Sequence, residues 1–301
     1  MPFTQGRASR LSLHALGCPL PPAASRMFDT HCHLTFPEYR GRVAQVLAAA
    51  RSEGVWGAIT VSTTTANALA SLALAREHED LWCTAGVHPL HSDEPVDWAG
   101  MRLAGSHPKC VAWGELGLDR HYSTPPFDLQ RRVLGEQLAQ IEAWRGEGLE
   151  KPVVIHCREA FDDLLPVLRS SSLPPERFVF HCFTGTPRDA RLVLDYGAWI
   201  SFTGVATFRN ATDVADAARL VPRDRLMVET DSPFLTPDPF RTVRPNEPKC
   251  VVHVARRLAE LRHEPAEDLE AALDANAERF FGLAIRRPAA SAGAEAARGD
   301  R

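Results

Sequence analysis

Phe28-Asp29-Thr30-His31-Cys32-His33 is the stretch on which the fold of this chain turns. An apolar start runs into two histidines two residues apart. In an extended strand that spacing puts both imidazoles on one side and Cys32 on the other. Outward from it, short runs rich in Val, Ile, Phe and Trp recur at Val55–Val61, Leu81–Val87, Val111–Glu115, Val153–His156, Phe178–His181, Ala198–Phe202 and Leu226–Asp231. Amphipathic stretches fill the gaps, over Arg40–Glu53, Thr65–Glu79, Asp128–Arg145, Ala160–Arg169, Pro187–Tyr196, Thr212–Leu220 and Pro248–Leu261, with a weaker one near Asp97–Ala104 and a last one at Ala266–Phe281. Eight strands with helices between them are what a right-handed βαβ series produces, and they predict an α/β fold closed as a (β/α)₈ TIM barrel. A doubly wound open sheet gives the same alternation.

The residues at the strand ends decide between the two. The first run ends His31-Cys32-His33, the fourth Gly114-Glu115-Leu116-Gly117, the fifth Ile155-His156-Cys157-Arg158, the sixth Phe180-His181-Cys182 and the eighth Glu229-Thr230-Asp231-Ser232. Barrel enzymes build their sites at the C-terminal ends of strands. Only closure brings the first and eighth strands together there. Neutral imidazoles and carboxylates are the ligands that divalent transition ions take from proteins. Four histidines with two carboxylates exceed one tetrahedral site and suit two cations sharing a bridging carboxylate. Cys32, Cys157 and Cys182 alternate with these positions and are expected to point outward into the helix layer.

Composition narrows the rest. The 301 residues carry 34 basic and 38 acidic side chains, a net charge of −4, so no global positive field draws in a polyanion. No apolar run is long enough to span a membrane. Seven scattered cysteines without a C-x-x-C pair read as reduced intracellular thiols, hence a cytoplasmic protein. Residues 1–26 are acid-poor and read as a disordered extension or targeting segment, 27–285 as the catalytic barrel and 286–301 as a disordered tail.

Several motifs together resemble a known family. Asp29-Thr30-His31-Cys32-His33-Leu34, Gly86-Val87-His88-Pro89, Gly114-Glu115-Leu116-Gly117-Leu118-Asp119, Val154-Ile155-His156-Cys157-Arg158-Glu159-Ala160, His181-Cys182-Phe183-Thr184-Gly185 and Glu229-Thr230-Asp231-Ser232-Pro233 occur in the order and register of the TatD family of metal-dependent hydrolases. The resemblance implies an amidohydrolase-like TIM barrel with deoxyribonuclease activity, often as a 3′-to-5′ exonuclease. By position, His31, His33 and Asp231 resemble the ligands of one metal, His156 and His181 those of a second, and Glu115 the bridge. Asp231 also resembles the group that takes the proton of the attacking water, and His88 and Arg158 resemble phosphate-binding groups. Related barrels bridge their metals with a carbamylated lysine. Here that position is Glu115, and the nearest lysine, Lys109, precedes the strand.

Three loops depart from the family pattern: Arg120-His121 before Tyr122, Gly146–Lys151, and Phe240-Arg241-Thr242-Val243-Arg244-Pro245. The function expected on this basis is hydrolysis of DNA phosphodiester bonds by a monomer using two divalent cations, whether Mg²⁺, Mn²⁺ or Zn²⁺. A water would attack phosphorus in line and Asp231 would accept its proton. Hydrolysis of a small amide, lactone or phosphoester would use the same centre. A non-catalytic metal- or nucleic-acid-binding scaffold is the alternative of another class. An open cleft points to a strand as substrate, a lidded hole to a small molecule.

Overall fold

The computed structural model describes residues 27–283; the extension expected at 1–26, the tail expected at 286–301 and the last two residues assigned to the barrel lie outside the described residues. Eight parallel strands, β1 (Met27–Cys32), β2 (Val55–Thr60), β3 (Leu81–Ala85), β4 (Cys110–Asp119), β5 (Val153–Arg158), β6 (Phe178–Phe180), β7 (Trp199–Phe202) and β8 (Leu226–Val228), pair in sequential order. Among the described residues nine helices surround them: α1 (Val43–Ser52), α2 (Thr65–Glu77), α3 (Trp98–Gly105), α4 (Phe127–Gly146), α5 (Phe161–Ser170), α6 (Pro187–Tyr196), α7 (Thr212–Leu220), α8 (Val251–Arg262) and α9 (Ala266–Phe281). Strands covered on both faces need apolar side chains on both, which is why Val153-Val154-Ile155 reads as a continuous hydrophobic run. Local signals set the helix ends. In α6, Thr186 and Asp189 form a capping box, Pro187 opens the first turn, and Gly197 at φ 104° closes the helix in the left-handed region that glycine enters without strain.

Two apolar layers result. Most strand residues pack outward against the helices. Phe28, Ile59, Val111, Val154, Val179 and Met227 form a separate cluster with Phe280 and Phe281 of α9. That cluster plugs the N-terminal end of the barrel and leaves the opposite end for polar chemistry.

Closure between β1 and β8 is made largely beyond the short eighth strand. The Asp231 N–H donates to His31 O at 2.9 Å and the His33 N–H to Ser232 O at 2.7 Å. The buried Asp29 carboxylate accepts from the Thr230 N–H at 2.9 Å and the Thr230 hydroxyl at 2.5 Å. Burial pushes the Asp29 carboxyl up to about 8, against the opposing pull of the Thr230 hydrogen bonds. A neutral amide should therefore substitute well. Asp29→Asn is expected to cost less than about 1 kcal/mol, and Asp29→Ala about 1–3 kcal/mol because it orphans the Thr230 N–H; urea unfolding of the two variants is the check.

Candidate metal centre

The C-terminal end of the barrel gathers the six side chains expected to ligate. His31 lies one residue before the end of β1 and His33 directly after the strand, with their Nε2 atoms 3.3 Å apart, as the alternation of a strand requires. The His33 Nδ1 lies 3.1 Å from the Val61 carbonyl, so Nδ1 carries the proton and Nε2 presents its lone pair inward. That lone pair is 3.3 Å from Asp231 Oδ1 and 3.6 Å from Glu115 Oε1. His156 lies in β5, and its Nδ1 is 3.5 Å from Glu115 Oε2, while His181 Nε2 is 2.6 Å from the same oxygen.

The strand boundaries differ from the sequence reading. Glu115 sits in the middle of a ten-residue β4 instead of at a strand end. β6 stops one residue before His181 and β8 three before Asp231, because the chain leaves the sheet where polar side chains turn into the cavity. Asp231 does this at φ 53°, a left-handed conformation uncommon for a residue with a Cβ. Cys182, at φ 43°, breaks the strand alternation as well. Cys182 consequently forms part of the cavity wall, whereas Cys157, though it touches the cavity, packs in the apolar layer between strands and helices, and Cys32 packs against the Ile59 carbonyl, both as expected. Gly117 allows β4 to run close to β5: a Cβ there would lie 1.8 Å from the His156 carbonyl oxygen, and its φ of 153° also favours glycine.

Glu115 is 2% exposed and divides its oxygens between two groups. Oε1 faces His31 and His33, and Oε2 faces His156 and His181. Burial would raise its pKa, but the imidazoles of His181, His88 and His31 hold it well below the ordinary carboxylate value. Conversely, burial would lower His181, yet the negative charge of Glu115 raises it well above an ordinary histidine. Asp231 is held down in the same way by His33 and His31. Three buried atoms, Glu115 Oε2, His31 Nδ1 and His181 Nδ1, have no hydrogen-bond partner. Buried polar atoms are rarely left so, and anionic oxygens between imidazole lone pairs are the donor set of a divalent cation. Three sets of candidate ligands, each with its donor atoms within 4.8 Å of one another, meet here: His31–His33–Asp231, His88–Glu115–His156 and His31–His181–Glu229. The residues present fit a two-cation centre.

His88 is the member whose chemistry differs. Its Nδ1 accepts the Leu90 N–H at 3.0 Å, so the neutral ring carries its proton on Nε2, 3.1 Å from His156 Nδ1. Burial holds the ring well below the ordinary histidine pKa, which keeps it neutral. An Nε2–H faces the cavity as a donor and suits an anionic oxygen better than a cation. The same ring caps its loop, so the positional and loop-capping roles coincide. Arg158 lines the cavity with its guanidinium 5.4 Å from the Tyr122 ring. Among the described residues it makes no ion pair; Glu159 pairs with His121 and Asp162 with Arg188.

Two carboxylates escaped the sequence reading as site residues. Asp119 Oδ2 lies 3.0 Å from His156 Nε2, and its Oδ1 accepts the His121 and Tyr122 N–H groups. The carboxylate thus fixes the ring with Nδ1 turned to Glu115. Glu229 accepts the Cys182 N–H at 2.5 Å and lies 3.5 Å from His181 Nδ1. Both sat in quoted motifs, but nothing local shows which histidine each one serves. Asp119→Asn retains the Oδ1 contacts and turns an amide N–H₂ toward His156, so activity should fall about 10–100-fold with folding unchanged. Kinetics and metal titration of the variant test this.

The cavity holds about 820 Å³. Tyr122 and Phe234, 49% and 48% exposed, stand on its walls, and the Phe36 ring is 6.0 Å from Phe234. Lys109 lies away from the site, bonded to the carbonyls of His78, Glu79 and Leu81, so no lysine is placed to form a carbamate bridge. Among the described residues no helix is long and apolar enough to cross a membrane.

Comparison with known proteins agrees with this geometry. The chain is 38% identical over 264 residues to the uncharacterized metal-dependent hydrolase YcfH of Escherichia coli (strain K12), covering 87% of this chain and 97% of that protein. It is 35% identical over 270 residues to the 3′-5′ ssDNA/RNA exonuclease TatD of the same strain, covering 86% and 100%. The crystal structure of YjjV, a TatD homologue from Escherichia coli K12, superposes with a TM-score of 0.80 at 31% identity, over 86% of this chain and 99% of that one. The family model described as TatD related DNase matches residues 28–282, which is the whole barrel with its cluster of histidines and carboxylates, and the chain belongs to that family.

Proposed function

We propose that this protein hydrolyses phosphodiester bonds of single-stranded DNA from a 3′ end, using two divalent cations. His31, His33 and Asp231 would hold one, His156 and His181 the other, and Glu115 both. The observation that carries this is the Glu115 carboxylate, each oxygen of which faces a different group of imidazoles. When bound, such a pair supplies positive charge at the phosphate and acidifies water.

The chain's own residues do the rest. Asp231 is the more exposed carboxylate of the cluster, with 14% of its side chain accessible against 3% for Glu115. Its lowered pKa keeps it ionised at neutral pH, ready to take a proton from a water in the cavity. The His88 Nε2–H and the Arg158 fork are placed to hold phosphate oxygens. The exposed aromatic rings on the wall suit unpaired bases and favour a strand over a small ester or amide. The names of the relatives support the nuclease reading, and the six unpaired cysteines of the described residues accord with a reducing compartment such as the cytoplasm.

Degradation of 3′- and 5′-labelled single-stranded DNA by protein loaded with Mg²⁺, Mn²⁺ or Zn²⁺ tests this directly. Stepwise loss from the 3′ end is the expected result. An intact ladder with every metal would move the assignment to a small phosphoester.

Acid should also weaken the metal centre. His33, His156 and His181 bind protons more tightly than an ordinary histidine, each because carboxylate contacts outweigh burial. Their raised values mean that protons already compete with the cations near neutral pH and win increasingly as pH falls. Metal affinity, measured by titration from pH 8 downward, is expected to begin falling already above the ordinary histidine value of about 6.5 and to drop about tenfold or more per pH unit below it.

A further inference from the structure

The loops after β7 and β8 hold a second polar feature that the metal cluster does not use. Val205 and Leu235 line the main cavity, and Thr207 and Asp238, two and three residues farther along the same loops, line a second cavity of about 500 Å³ with Arg209 and Arg241. The step from Val205 to Thr207 spans no more than about 7 Å. The loops are tied together between the two cavities: the Asp238 N–H donates to Thr207 Oγ1 at 2.8 Å, and a Cβ on Gly204 would meet Leu235 O at 2.0 Å.

Charge distinguishes this side of the mouth. The Arg241 guanidinium carbon lies over the Phe208 ring, 3.8 Å from its centroid, while the residue stays exposed. Arg244 is anchored by Thr236 Oγ1 and the Arg241 carbonyl, both at 2.7 Å. Among the described residues, none of Arg209, Arg241 and Arg244 has a carboxylate within ion-pair distance; on the opposite side, Arg120 pairs with Asp163 and Arg188 with Asp162. Asp238 is the single acidic residue of the second cavity. In a chain of net charge −4, three uncompensated guanidinium groups on two touching loops, next to the exposed Phe234 ring, are a local polyanion footprint. The segment bearing Arg241 and Arg244 is also one that departs from the family pattern.

We propose that these loops form a track for the single strand: Phe234 stacks on a base beside the reacting phosphate, and Arg209 and Arg241 bind the backbone phosphates that follow. The track rests on the nuclease reading and extends it to a substrate longer than a dinucleotide. Arg241, seated over Phe208, keeps its guanidinium available to a phosphate, and Arg244 holds the loop that carries it.

The test compares wild type with the double variant Arg209→Ala/Arg241→Ala on a thymidine dodecamer, a dinucleotide and bis-(p-nitrophenyl) phosphate. With the dodecamer, the variant's KM should rise about tenfold or more with kcat held within about twofold. Its binding, read by fluorescence anisotropy, should depend less on salt, the slope of log K against log salt falling by about 1.4 for two lost phosphate contacts. The dinucleotide and the small ester should be turned over as by wild type. Arg209→Lys/Arg241→Lys should recover most of the salt slope, which a merely structural defect would not. Phe234→Ala should weaken dodecamer binding about tenfold. Unchanged KM and salt slope in a double variant that still degrades DNA would overturn the track alone. Wild type that neither binds nor cleaves the dodecamer while hydrolysing the small ester would overturn the nuclease reading and the track with it.

Discussion

Glu115→Gln is expected to lower hydrolysis by on the order of 10³-fold or more, since even outer partners of metal ligands are worth about 10–100-fold. Glutamine has the shape of glutamate, so the tightly enclosed side chain should remain seated among the imidazoles and the barrel should fold. What changes is that one of two oxygens, each turned to a different histidine group, becomes an N–H₂ that can only donate. Cation content per chain, measured by elemental analysis after loading and desalting, should drop from two to one or none. Activity and metal content both at wild-type level would remove the bridging role from Glu115 and with it the reason for proposing a paired centre.

Asp231→Asn should reduce kcat about 10²–10⁴-fold with a smaller effect on KM. The backbone at Asp231 is left-handed, and asparagine is among the few residues other than glycine that tolerate that region. The substitution therefore keeps the local fold and removes the capacity to accept a proton. Alanine at the same position would confound the two by straining the backbone. An Asp231→Asn enzyme with wild-type kcat would assign the proton to another group.

Much of the barrel was legible because its signals are local. Apolar runs and amphipathic stretches placed every strand and helix near its observed position, and the i, i+2 spacing of His31 and His33 implied a shared face. What was not legible depends on distance along the chain. Asp119 meets His156 across a separation of 37 residues, and Glu229 meets Cys182 across 47, so no window of sequence contains either pair. The tautomer of His88 depends on the direction of the Leu90 N–H, which is a property of the loop. Cys182 defied the alternation because its backbone is left-handed, and the ends of β6 and β8 were set too far along because His181 and residues 229–231 continue the chain in sequence after the hydrogen-bond ladder has stopped.

The seam between β1 and β8 has a consequence for how the molecule breathes. The backbone bonds that close the barrel involve His31, His33, Asp231 and Ser232, so the seam and the first set of candidate ligands are the same few residues. A cation held by His31, His33 and Asp231 would act as a latch across the one junction that lacks a full strand ladder. Opening the seam would release the ion, and stripping the ion would leave the β1–β8 junction to be held by Asp29 and a pair of backbone bonds. In amide hydrogen exchange, the protection of residues 31–33 and 230–232 should then rise with cation concentration more than that of β4 or β5, which makes metal availability a control on local unfolding as well as on chemistry.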